Sequence, residues 1–142
     1  MDRPVLELEQ LRLQYPSSSN WTLNGLDLRL EAGETLALVG SSGCGKSTVA
    51  RAVLQLLPPD TLCEGELRLT GEDPRQLKRA ELRQLRGRAV GLVFQDPMTR
   101  LNPLLSAGGH LLDTLRAHRP DRPAAWHRQR SEELLERVGI GG

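Results

Sequence analysis

Residues 40–48 read GSSGCGKST. The run before them, TLALVG (35–40), is continuously apolar, the pattern of a strand buried on both faces. The run after them, STVARAVLQLL (47–57), places Val49, Ala50, Val53, Leu54 and Leu57 on one helical stripe. Pro58 and Pro59 are expected to stop that helix. Strand, glycine-rich loop and helix therefore follow one another directly.

Residues 40–47 fit the pattern G-x-x-x-x-G-K-[ST] in the context that gives it meaning. Glycines admit positive φ and let the backbone approach a ligand closely. Successive N–H groups can then converge on one concavity, and the helix adds its unpaired N–H groups and the positive end of its dipole. Such a cradle suits an oligophosphate. Lys46 supplies a mobile charge for the β and γ phosphates, and the Ser47 hydroxyl is placed to ligate Mg²⁺. The bland alternative is a glycine-rich turn that matches by accident. Cys44 sits at a variable position, either as filler in a tight loop or as a thiol that a bound ligand shields from alkylation.

Working outward, VLELEQLRLQY (5–15) alternates with a phase slip at Glu9–Gln10 and predicts a bulged strand. LDLRLE (26–31) predicts a second strand, and AGE (32–34) a turn. GELRLTG (65–71) predicts a third, half-exposed one. Asp73–Pro74 resembles a helix start, with a helix running to about Arg86 and Gly87 as its stop. AVGLVFQ (89–95) is a second run expected to form a buried strand, DPMTRLNP (96–103) a loop, and helices are expected near 105–118 and 123–138. The order predicts an α/β core carrying an antiparallel flap, with a helical region after about residue 97.

The bulk numbers narrow the function. The chain has 142 residues, 38% hydrophobic and 26% charged, which suits one globular domain. Formal net charge is +1, so no broad basic field for nucleic acid or an anionic membrane is expected. No window approaches the roughly eighteen apolar residues that span a bilayer. Cys44 and Cys63 form no CxxC pair, and isolated cysteines fit a reducing compartment.

The stretches GETLALVGSSGCGKSTVARAVLQLL and GLVFQDP together resemble the nucleotide-binding subunit of an ATP-binding cassette (ABC) transporter. FQDPMTRLNPLLSAG resembles most the subfamily that powers bacterial uptake of oligopeptides, dipeptides or nickel. The resemblance implies a P-loop NTPase (RecA-like) core with an antiparallel β flap, the start of a helical subdomain, and ATP and Mg²⁺ as ligands. It divides the chain into a core part over 1–96 and a helical part over 97–142. It implies that Gly40, Ser42, Gly43, Cys44, Gly45, Lys46, Ser47 and Thr48 form the phosphate loop. Gln95 becomes the Q-loop glutamine, which helps ligate Mg²⁺ and senses the γ-phosphate. Tyr15 falls where the family places an aromatic on adenine, with Trp21 as a rival across the turn-forming stretch PSSSN (16–20). The implied partners are transmembrane permease subunits and a second nucleotide-binding subunit, at the cytoplasmic face of the inner membrane.

Other parts of the family pattern are not found after Gln95. No apolar run ends in Asp-Glu, no stretch resembles LSGGQ, and His110, His118 and His127 do not match the switch histidine. Those histidines, and Glu132–Glu133, are expected to face solvent. The resemblance therefore covers the front half of a cassette, and the chain alone is expected to hydrolyse ATP poorly. Two other readings stay open: a non-catalytic nucleotide-binding fragment, and a soluble cassette protein of DNA repair or translation. The segment after Gln95 favours the importer group.

Overall fold

The strand β1 (Leu6–Gln14) is the middle of an antiparallel sheet in the order β2-β1-β3, with β2 at Leu23–Leu30 and β3 at Leu62–Leu69. The computed structural model describes residues 3–96 and 101–140. The phase slip in β1 is a bulge. Between the pairs Glu9↔Glu66 and Arg12↔Glu64 β1 carries one residue more than β3, and against β2 the register slips between Leu8 and Leu11 and back between Leu11 and Arg12. Gln10 takes φ 49°, and Asp27 accepts both its backbone N–H (2.7 Å) and its side-chain amide (2.6 Å). The extra residue returns Leu11 and Leu13 to the face that Leu8 occupies, and all three are buried.

Onto that face packs α1 (Lys46–Val53) through Val49, Ala52 and Val53, beside Leu23, Leu67 and Leu69. With only 3% aromatic residues, the core is leucine and valine, each full burial contributing about 1.5–3 kcal/mol. The helix is shorter than its stripe predicts. It ends at Leu54, before the prolines, because Gln55 turns to φ 52°. Arg86 then donates to the carbonyls of Leu54 (2.7 Å) and Gln55 (2.6 Å), capping the negative end of α1. Arg86→Ala is expected to lower stability by about 1–3 kcal/mol, since the half-buried carbonyls lose a charged donor. Arg83→Ala, on the exposed side of the same helix, is expected to change it by less than about 0.5 kcal/mol. Denaturant midpoints compare the two, and equal losses would contradict the capping role.

Helix α2 (Arg79–Arg88) starts later than expected. Asp73 does not cap it: the Asp73 carboxylate accepts from the Arg75 backbone N–H at 2.9 Å and from the Arg75 guanidinium at 2.7 Å. Burial pushes the Asp73 pKa up, but the Arg75 hydrogen bonds outweigh it and hold the carboxyl below its usual range. The start is instead fixed by Glu81, which accepts from the Lys78 N–H at 2.8 Å. Gly87 lies inside the helix and does not stop it.

The two apolar runs depart furthest from expectation. Residues 35–40 and 89–95 form no β ladder. Leu36 and Leu38 are each more than 40% exposed and Val39 is 92% exposed. A strand buried on both faces needs neighbours on both sides, and the described residues supply none. Leu28, Leu30, Leu36, Leu38, Val49 and Val90 instead line an open apolar groove of about 240 Å³.

The chain divides into two compact units, residues 1–92 and residues 93–142. The expected change from core to helical part at 96/97 abuts residues 97–100, which lie outside the described set, as does part of the expected 96–103 loop. In the second unit α3 (Ala107–His118) and α4 (Ala124–Arg137) pack on each other. Ser106 caps α3 by accepting from the Gly109 N–H at 3.1 Å. His118 is exposed as expected, and His110 is half-buried with Nε2 3.1 Å from the Asn102 carbonyl. His127 corrects the expectation. It is buried, with Nε2 2.9 Å from the Arg119 carbonyl and its ring edge-on to Trp126. The interhelical turn supplies that carbonyl, which makes the burial tolerable. Glu132 is exposed, and Glu133 pairs with Arg130 at 2.9 Å.

Candidate functional site

The loop 40–45 leads directly into α1, so the helix N-terminus opens onto it. Gly43 (φ 83°) and Gly45 (φ 98°) are both left-handed, a backbone that side-chain-bearing residues rarely adopt. Gly45 is the N-cap of α1 and is buried. Its hydrogen faces β2: a Cβ there would stand 2.6 Å from Leu23 Cδ2 and 3.1 Å from the Thr22 carbonyl. The strand β2 therefore seats the loop. Residues 41–44 are exposed, as is Ser47, while Thr48 is buried. The first N–H groups of any helix lack intrahelical partners, so the amides of Lys46, Ser47 and Thr48 are available to an anion.

Lys46 curls back over the loop. Its ammonium donates to the carbonyls of Gly40 (2.8 Å) and Ser41 (2.6 Å) and lies 3.5 Å from Cys44 Sγ. Cys44 is exposed, and a Cβ on Gly40 would sit 2.7 Å from its sulfur. Gly40, Cys44 and Lys46 thus pack into one turn, which Gly40 fits by having no side chain.

Tyr15 follows the end of β1, its carbonyl accepting from the Ser18 N–H at 3.0 Å in a turn. Its half-buried side chain packs against the core, and its hydroxyl shares a 3.2 Å hydrogen bond with Thr48 Oγ1. The structure thus brings Tyr15 and residues 40–48 together. Trp21 is placed differently, with the Arg12 guanidinium 4.0 Å over its ring centroid. Arg12 is itself held by Asn24 (3.2 Å) and Glu64 (3.0 Å). Gln95 belongs to the second unit, where it is exposed in a bend. No sequence signal marks the seat that Thr22 and Leu23 give Gly45, or the Tyr15–Thr48 link.

A larger cleft, about 410 Å³, lies along β3 beside Arg68, Asp73 and Arg75. Its cations are already engaged: Arg68 with Glu66 (2.6 Å), and Arg75 with Asp73 and the Gly65 carbonyl (3.0 Å). The glycine loop is the better candidate, because it opens onto the N-terminus of α1 with Ser47 exposed beside it. Ser47 is a hard oxygen donor, the kind Mg²⁺ takes alongside phosphate oxygens.

The family model for ABC transporters matches residues 23–142. The chain is 39% identical over 145 residues to the probable D,D-dipeptide transport ATP-binding protein DdpD of Escherichia coli (strain K12), covering 99% of this chain and 44% of that protein. It is 37% identical over 141 residues to the oligopeptide transport ATP-binding protein OppD of Bacillus subtilis (strain 168), covering 96% of this chain and 39% of that one. A putative peptide import ATP-binding protein of Brucella abortus (strain 2308) is 38% identical over 96% of this chain and 42% of its own length. The chain thus spans less than half the length of these relatives. A glycine loop seated at the start of α1, and a family match that takes in that loop and the helical hairpin, have one joint consequence: the chain belongs to the ABC transporter family, with a P-loop NTPase domain.

Proposed function

We propose that the chain is the nucleotide-binding part of the ATP-hydrolysing subunit of a peptide importer. The observation that carries this reading is the left-handed pair Gly43 and Gly45 opening onto the N-terminus of α1, within the segment that matches the family. The transport names of the relatives support the solute class.

In this reading the amides of the loop and of α1 hold the phosphates, and Lys46 exchanges the Gly40 and Ser41 carbonyls for β- and γ-phosphate oxygens. Both are charge-assisted bonds, so the exchange is near balance for hydrogen bonding and is driven by the phosphate's charge. Ser47 would hold Mg²⁺, which would supply charge neutralisation at the phosphates. The Tyr15 ring takes the base, a contact worth about 1–3 kcal/mol. Permease subunits and a second nucleotide-binding subunit complete the machine at the cytoplasmic membrane face. Binding, not rapid turnover, is the expected property of these 142 residues alone.

Calorimetry with Mg-ATP tests the reading. Wild type is expected to bind, and Lys46→Ala to bind at least about tenfold more weakly, the cost of one charge-assisted contact. Equal affinities, or no heat from folded wild type, would refute it.

A further inference from the structure

We propose that the Tyr15 hydroxyl and Thr48 are positioning residues that lock the base-binding ring to the phosphate-binding helix. The inference rests on the nucleotide-site reading and goes beyond it, to how the two halves of that site are held in register.

Tyr15 lies beyond the last ladder pair of β1, so no strand partner fixes its backbone. A turn to Ser18 holds the main chain, and the side chain is half-buried. What ties its outer end down is the 3.2 Å hydrogen bond to Thr48 Oγ1. Thr48 is suited to the task. It is 7% exposed, so its hydroxyl is poorly served by water. It is β-branched, so its χ1 is stiff. It also stands in the first turn of α1, whose N-terminus opens onto the loop proposed to hold the phosphates. A ring tied there has its plane set relative to the phosphate cradle before a nucleotide arrives, and preorganisation of that kind raises affinity by lowering the ordering cost. Trp21 has no such tie to α1; one face of its ring carries Arg12.

The consequence is specific to ligands that carry a base. Inorganic tripolyphosphate meets only the loop and the helix amides, whereas ATP also meets the ring. We therefore compare Mg-ATP with Mg-tripolyphosphate by calorimetry, on wild type, Tyr15→Phe, Thr48→Val, Thr48→Ser and the double variant Tyr15→Phe/Thr48→Val. Tyr15→Phe keeps the ring and is expected to weaken Mg-ATP about three- to tenfold, the scale of one neutral hydrogen bond, while Mg-tripolyphosphate binds as to wild type. Thr48→Val is expected to lower the ATP-to-tripolyphosphate affinity ratio by the same factor, Thr48→Ser to restore it, and the double variant to lower it no further than either single change. A merely structural role would weaken both ligands together and leave the ratio unmoved. The proposal is overturned if Tyr15→Phe leaves the ratio at the wild-type value, or if the two single losses add. If wild type binds tripolyphosphate but not ATP, the base site and this proposal fail while the phosphate loop stands. If it binds neither, the nucleotide reading fails and takes the proposal with it.

Discussion

Gly65→Ala is expected to destabilise the first unit by roughly 3–5 kcal/mol, enough to unfold a marginal domain. Gly65 lies in β3 opposite the β1 bulge, between the pairs Glu9↔Glu66 and Arg12↔Glu64. There the extra residue Gln10 pushes its backbone toward β3. A Cβ on Gly65 would fall onto the Gln10 carbonyl oxygen and stand 2.7 Å from the Gln10 carbonyl carbon and the Glu9 carbonyl oxygen. Backbone cannot swing aside as a side-chain tip does, so either the bulge opens or β3 parts from β1. The bulge is also what returns Leu11 and Leu13 to the buried face, so its loss reaches the core. Gly65 further sits at φ 84°, where a Cβ adds about 1–2 kcal/mol of strain. Gly33→Ala separates the two costs. Gly33 has φ 78° and open space around it, so it is expected to lose only the strain. Urea midpoints of the two variants compare them, and equal shifts would mean that the collision relaxes freely.

How far the sequence was legible follows from the range of the forces involved. The bulge was visible as a phase slip at Glu9–Gln10, because period-2 alternation reports directly on which face a residue takes. The helical hairpin was visible because the prolines at 120 and 123 that separate its helices are a local signal. The glycine loop was visible because a left-handed backbone at Gly43 and Gly45 demands residues without Cβ. The unpaired state of residues 35–40 was not, since an apolar run states what a strand would bury and not whether neighbours exist to pair it. The burial of His127 turned on a carbonyl eight residues away at Arg119, and the capping of the C-terminal carbonyls of α1 on Arg86, more than thirty residues downstream. Neither partner leaves a mark in the neighbouring sequence. The Tyr15–Thr48 bond joins positions 33 residues apart and is equally silent. Local conformational needs were legible, then, and long-range satisfaction of polar groups was not.

The second large effect belongs to Gly45, where loop chemistry and packing meet in one missing side chain. Gly45→Ala is expected to weaken Mg-ATP at least about tenfold and also to lower the melting temperature. Two costs combine. The N-cap backbone at φ 98° disfavours any Cβ by about 1–2 kcal/mol. The added carbon would also press on Leu23 Cδ2 at 2.6 Å and the Thr22 carbonyl at 3.1 Å, and overpacking of this kind typically costs about 1–3 kcal/mol. Leu23 is 7% exposed within the core, so relief comes more easily by moving the first turn of α1 away from β2. That motion shifts the amides of Lys46, Ser47 and Thr48 proposed to hold the phosphates, and it stretches the Thr48 bond to Tyr15. Gly43→Ala provides the contrast. Gly43 has φ 83° but no atom within 4 Å of its would-be Cβ, so its substitution perturbs the loop without disturbing β2. It is expected to weaken Mg-ATP while moving the melting temperature less than Gly45→Ala does. Calorimetry and thermal melts on both variants decide the matter. Should Gly45→Ala melt like wild type, β2 does not seat the loop, and the sheet is not coupled to the proposed phosphate site.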